Sequence, residues 1–114
     1  MPRMSDPASR LAISDDGEGP ADGQAGTLVL AGEIDAHTAP ELAARLDVLV
    51  GGDADITVDM AAVDFIDSSG LRVLIDAHNR TAENDRRLVL RAPSAAVSRL
   101  VEIAGLAGHF NVDS

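Results

Sequence analysis

The chain has 114 residues, 46% of them apolar, with 19 acids against nine basic residues and a net charge of −10. That length fits one domain with a core of its own, and the acidic balance argues against nucleic acid as the direct partner, since phosphate binding needs a basic patch. There is no cysteine, which removes disulfides, thiol catalysis and thiolate metal sites.

The opening segment, Met1 to Arg10, is polar and contains proline. It lacks the apolar core of a signal peptide, and no window of the chain approaches the length of a membrane span. A cytoplasmic protein with no membrane partner is expected. Leu11 to Ile13 can start a short first strand. "SDDGEGPADGQAG", Ser14 to Gly26, is rich in Gly, Asp and Pro and predicts a flexible loop. These features divide the chain into a flexible segment over 1–26, with its short strand, and a folded domain over 27–114.

Thr27 to Asp35 predicts a strand with a turn at Gly32. Thr38 and Glu41 have the spacing of a capping box, with Pro40 tolerated in the first turn. Leu42, Leu46, Leu49 and Val50 follow at helical spacing, and Gly51 and Gly52 stop that helix. Asp55 to Met60 predicts a second strand ending near Ala61–Val63. A second helix begins after Asp67. Leu71, Leu74, Ile75 and His78 share its inner face, while Arg72, Asp76, Asn79, Arg80 and Glu83 lie outside. Arg86 to Ala92 predicts a third strand. A third helix opens at Pro93–Ser94, turns Val97, Leu100, Val101 and Ala104 inward, and stops at Gly105. His109 to Val112 predicts a last short strand. Strands and helices alternate, so parallel crossovers with helices covering a sheet are expected.

"VDFIDSSGLRVLIDAH", Val63 to His78, places two hydroxyls behind an acid where a strand hands over to a helix. One reading is capping: Ser68, Ser69 or Asp67 is the N-cap. The other is covalent modification, because a helix start tolerates an added dianion. The two are compatible. A hydrolase reading is weak, since Asp67-Ser68-Ser69-Gly70 lacks the nucleophile-elbow pattern and nothing brings His37, His78 or His109 to the serine. Asp35 ends one strand as Ser68 follows another, so both can share one edge of a parallel sheet. Its bland role, capping a turn, weighs equally. Asp53, Asp55 and Asp59 straddle a strand without the further ligands a metal needs. No cofactor is called for, and no phosphate-cradling loop follows a strand.

"GEIDAHTAPEL", Gly32 to Leu42, followed by "VDMAAVDFIDSSGLRVLIDAHNR", Val58 to Arg80, resembles the STAS domain of bacterial anti-sigma factor antagonists. The resemblance runs from about Thr27 to Gly108. It implies an α/β fold, a small mixed sheet with helices packed mainly on one side. It implies a non-enzymatic regulator that binds an anti-sigma factor, itself a serine kinase of the histidine-kinase-like ATPase fold, and so releases a sigma factor in a partner switch of the stress-response kind. Ser68 would be the phosphoacceptor, reset by a metal-dependent serine phosphatase. Asp35 carries the functional acid of the first motif, and Asp35, Asp67, Ser69, Gly70, Arg72 and Val73 form the expected partner surface. Val73 is expected to be an exposed apolar residue on the far side of the second helix. The chain departs from the family in its long 14–26 loop and in ending at Ser114, where many members continue into another helix. The alternative is a STAS subunit of a lipid-trafficking ABC transport system with an ATPase partner.

Overall fold

The computed structural model describes residues 10–15, 25–52 and 54–113. The elements follow the order β1 (Leu11–Asp15), β2 (Ala25–Ile34), α1 (Ala39–Val50), β3 (Asp55–Ile66), α2 (Ser68–Glu83), β4 (Leu88–Arg91), α3 (Ala95–Ile103) and β5 (Asn111–Asp113). They build one five-stranded sheet in the order β1-β2-β3-β4-β5. β1 is antiparallel to β2, and every later neighbouring pair is parallel. Each parallel pair is joined through a helix. Three successive crossovers of one hand, stepping in one direction across the sheet, put all three helices on the same face.

Strand alternation shows which face that is. Leu28 and Leu30 on β2, Ile56, Val58 and Met60 on β3, and Leu88 and Leu90 on β4 are all buried. Leu42, Leu46 and Val50 of α1, Leu71, Leu74 and Ala77 of α2, and Val97 and Val101 of α3 close over them. Each fully buried leucine or isoleucine contributes about 1.5–3 kcal/mol relative to exposure, so this layer supplies the main driving force. The opposite face carries Thr57, Asp59, Val89 and Arg91, none of them fully buried. There Arg91 Nη2 pairs with Asp59 Oδ2 at 2.9 Å across the β3–β4 register.

The sheet takes in β1, on the N-terminal side of residue 26, and Leu11 belongs to the core. Most of the predicted Gly/Asp-rich loop, and the polar segment before Arg10, lie outside the described residues.

Several sequence expectations are corrected. The predicted turn at Gly32 is an irregularity inside β2. Gly32 has φ +110°, and a Cβ there would collide with the Arg10 carbonyl oxygen. β3 does not stop near Ala61–Val63 but runs to Ile66. Its register against β2 slips twice, from Val29↔Asp59 to Ala31↔Ala62 and then Glu33↔Phe65. Each slip adds a residue to β3, which is the geometry of a bulge. Continued alternation from Met60 would have turned Asp64 inward. The bulges instead bury Val63 and Ile66 and leave Asp64 and Phe65 outside. Thr38 and Glu41 form no capping box of the expected kind, because the Thr38 side chain makes no bond to the start of α1. Ala104 is exposed at the C-terminal end of α3 rather than inward.

Candidate functional site at the carboxyl edge of the sheet

Two strand-to-helix turns lie side by side where β2 and β3 end. Ile34 pairs with Ile66, and the Asp67 N–H donates to the Ile34 carbonyl at 3.1 Å. Asp35 and Asp67 therefore leave adjacent strands at the same level of the sheet. This brings together the two motifs that are separate in sequence.

The first turn is built on Asp35. Its Oδ1 accepts the His37 N–H at 2.9 Å and the Thr38 N–H at 3.0 Å. The Thr38 hydroxyl accepts the Asp35 N–H at 2.9 Å and lies 3.1 Å from the Glu33 carbonyl oxygen, to which it can donate. A buried threonine thus ties the end of β2 to the start of α1, which explains why it does not cap the helix. The Thr38 N–H, then the His37 N–H and the Thr38 hydroxyl, hold the Asp35 carboxyl below its ordinary pKa against an opposing effect of burial. All these bonds use Oδ1, and Oδ2 makes no hydrogen bond among the described residues.

The second turn is built on Asp67. It is the N-cap of α2, with extended backbone, and its Oδ1 accepts the N–H groups of Ser69 at 2.8 Å and Gly70 at 3.3 Å. Its own carbonyl accepts the Leu71 N–H at 3.1 Å. Capping therefore falls to Asp67 and to neither serine. Ser68 opens the helix with an exposed side chain, and its hydroxyl has no partner among the described residues. Ser69 is half-buried. Exposure separates two adjacent hydroxyls that the sequence could not distinguish physically.

Of the other expected partner contacts, Arg72 is exposed one helical turn after Ser68. Gly70 is not available for contact. It is buried, and a Cβ would collide with Ile34 Cγ2 and sit 3.0 Å from Ile66 Cγ1. Its absent side chain lets α2 start close against the two strand ends. Val73 is also corrected. It is half-buried and packed against the core, beside a groove between α1 and α2 that also involves Ala43, Leu46 and Ala77. The sequence expectation placed it on the far side because it weighed the helix against the sheet alone. α1 lies along that flank, joined to α2 by Arg80 Nη1, which pairs with Asp47 at 2.6 Å and Asp76 at 3.2 Å.

Sequence reasoning missed Phe65, 47% exposed two residues before Asp67. A bulge turns it outward, and no motif announces a bulge. Asp55 and Asp59 do not converge on a common point. Asp55 accepts the Arg87 N–H at 2.9 Å, whereas Asp59 accepts the Ala61 N–H and pairs with Arg91. Asp53 lies outside the described residues.

A one-sided mixed sheet, with an acid-capped helix presenting a bare serine at its carboxyl edge, defines an α/β module of the STAS type. The family described as "Mlab, STAS domain" matches residues 20–112, and the chain belongs to that family. The anti-sigma-B factor antagonist of Listeria monocytogenes is 38% identical over 80 residues, covering 69% of this chain and 70% of the relative. That of Staphylococcus aureus is 34% identical over 83 residues, covering 72% and 77%. Among solved structures, an anti-sigma factor antagonist from Mycobacterium paratuberculosis superposes with a TM-score of 0.78 at 23% identity, covering 96% of this chain and 90% of the other. Unphosphorylated SpoIIAA superposes with a TM-score of 0.74 at 20% identity, covering 90% and 89%. SpoIIAA of Bacillus in its phosphorylated form gives 0.68 at 19% identity, covering 90% and 92%. At these identities the structural likeness speaks for the fold.

Proposed function

We infer that the protein is an anti-sigma factor antagonist. Its unphosphorylated form binds an anti-sigma factor, which is also a serine kinase of the histidine-kinase-like ATPase fold, and thereby frees a sigma factor. Phosphorylation of Ser68 ends that binding. In the transfer, Ser68 Oγ attacks the γ-phosphorus of ATP, the bond to the β-phosphate oxygen breaks, ADP leaves, and the hydroxyl proton passes to a base on the kinase. A metal-dependent serine phosphatase hydrolyses the ester and resets the switch. The protein acts in the cytoplasm, as a binding module rather than an enzyme.

The observation that carries this reading is the Ser68 hydroxyl: exposed, without a partner among the described residues, and held at the first position of α2 by the Asp67 cap. A phosphate adds about −1.5 to −2 charges. A partner surface that fits a hydroxyl must then desolvate a dianion, and each 1.4 kcal/mol lost weakens binding tenfold. The curated relatives are named for anti-sigma antagonism, which favours this reading over a transport subunit.

The deciding experiment incubates the protein with its candidate kinase and ATP and maps the product by mass spectrometry. Phosphate on Ser68, with loss of the complex, is expected. Phosphate on Ser69 with Ser68 bare, or an unmodified protein that binds only a membrane-linked ATPase, would overturn it.

A further inference from the structure

A phosphate on Ser68 arrives at a helix start whose N–H groups are mostly taken. Free N–H groups at a helix N-terminus ordinarily receive anions. Here Asp67 Oδ1 takes those of Ser69 and Gly70 and the Asp67 carbonyl takes that of Leu71, which leaves the Ser68 N–H alone without a partner among the described residues. The Asp67 carboxylate adjoins the serine in the chain, and Asp64 is exposed nearby in sequence. Local charge therefore opposes the dianion, and beyond the single Ser68 N–H further compensation comes from a side chain.

The arginines are mostly committed. Arg80 bridges Asp47 and Asp76, Arg91 holds Asp59, Arg10 holds Glu33, and Arg86 donates to backbone carbonyls. Arg72 is exposed and makes no side-chain hydrogen bond or ion pair among the described residues. It stands four residues after Ser68 on α2. Residues at that spacing have Cβ atoms about 5–6 Å apart, and an acid placed N-terminal to a base is the favourable order. The planar guanidinium matches two phosphate oxygens at once.

We propose that Arg72 is the intramolecular counter-ion of the phosphate on Ser68. Modification then acts twice on the docking face: it adds a dianion and withdraws the free guanidinium that the unmodified surface offers a partner. This rests on the reading of Ser68 as the phosphoacceptor. It explains how α2 can keep its start intact with an anion beside the Asp67 cap.

The test uses the full chain with phosphoserine installed at position 68 during translation, so no kinase is needed. The second phosphate pKa, ordinarily near 6, is read by phosphorus NMR in the parent, in Arg72→Gln and in Arg87→Gln. Arg87 lies just before β4, at the opposite edge of the sheet, and controls for net charge. A rise of about 0.2–0.4 unit or more is expected in Arg72→Gln alone, the shift equivalent to an i,i+4 ion pair. An unchanged pKa in Arg72→Gln overturns the proposal, as does an equal rise in Arg87→Gln. A second reading needs no substitution: the Arg72 Nε–H resonance must move as the phosphate ionises, and a static resonance overturns the pairing. A negative kinase assay would remove Ser68 as the natural acceptor without touching this outcome.

Discussion

The Asp67 N–H donates to the Ile34 carbonyl at 3.1 Å, a bond that ties together the two halves of the site. Together with the Ile34–Ile66 pairing it holds the end of β2 beside the start of α2, so the Asp35 turn and the Asp67 cap lie at one level of the sheet. Ser68, directly after the Asp67 cap, is presented by backbone geometry, and its hydroxyl has no partner among the described residues.

Asp67→Ala should lower stability by about 1 kcal/mol, because it leaves the Ser69 and Gly70 N–H groups without their acceptor. Asp67→Asn should recover most of that, since its side-chain carbonyl can accept the same bonds. Urea midpoints of the three proteins check this. Equal midpoints for Ala and the parent would show that solvent replaces the cap at no cost. Ser68→Ala, by contrast, should unfold with the parent, because its hydroxyl holds nothing.

Gly70→Ala tests packing at the same place. The added methyl meets Ile34 and Ile66, both buried on adjacent strand ends. Overpacking of this kind costs about 1–3 kcal/mol. The expected result is a lower melting temperature together with weaker partner binding, as α2 is pushed off the edge. A variant with parent stability would mean that the isoleucines move aside freely.

The alternation of elements was legible in the sequence because apolar spacing changes from two to nearly four at each boundary. Leu71, Leu74, Val97 and Val101 were placed inward correctly on that ground. The Asp67-Ser68 pair was legible because acid, hydroxyl and glycine occur together at a strand–helix junction. Val73 was not, because its environment is set by α1, and helix-on-helix packing leaves no mark in the α2 pattern. Thr38 misled because the threonine of a cap and the threonine of a strand-end tie have the same spacing. The outward turn of Phe65 depends on register slips between strands, which no single strand encodes.

Arg86 was likewise invisible, being one arginine of a pair before a strand. Its Nη1 donates to the carbonyls of Ala54 at 2.9 Å and Leu49 at 3.4 Å, and its Nη2 donates to that of Val50. The last carbonyls of a helix lack partners within it, and a guanidinium is suited to gather several. Arg86→Ala should cost about 1.5–3 kcal/mol, the range for hydrogen bonds to a charged group. Arg86→Lys should recover only part, since one ammonium lacks the fork. Thermal unfolding of both variants decides it. Full recovery by lysine would mean that charge alone matters at this helix end.

The last prediction concerns pH. The His78 ring lies against the His109 ring, with centroids 4.7 Å apart, and edge-on to Phe110 at 5.4 Å. Its Nδ1 is buried without a hydrogen-bond partner among the described residues. Burial, and then the neighbouring His109, lower the His78 pKa from its ordinary 6.5. No carboxylate contributes to that shift. Above pH 6.5 the imidazole is neutral in both folded and unfolded chains, and its contribution is intact. As pH falls below 6.5 the unfolded chain takes up the proton first, so stability declines until the folded-state pKa is passed. Asp35 and Asp59 have lowered pKa values as well. Their contributions are present above the ordinary carboxylate value of 3.8 and are lost only as pH falls through the still lower folded values, so the two windows are separate. His78→Leu should remove the decline that begins below pH 6.5, without loss at pH 7.5, because it replaces an unsatisfied polar atom with apolar surface. Urea unfolding of parent and variant from pH 7.5 to 5 measures this. A variant that keeps the parent's slope across that range would assign the decline to another group, and the buried His78 would have no part in the pH response.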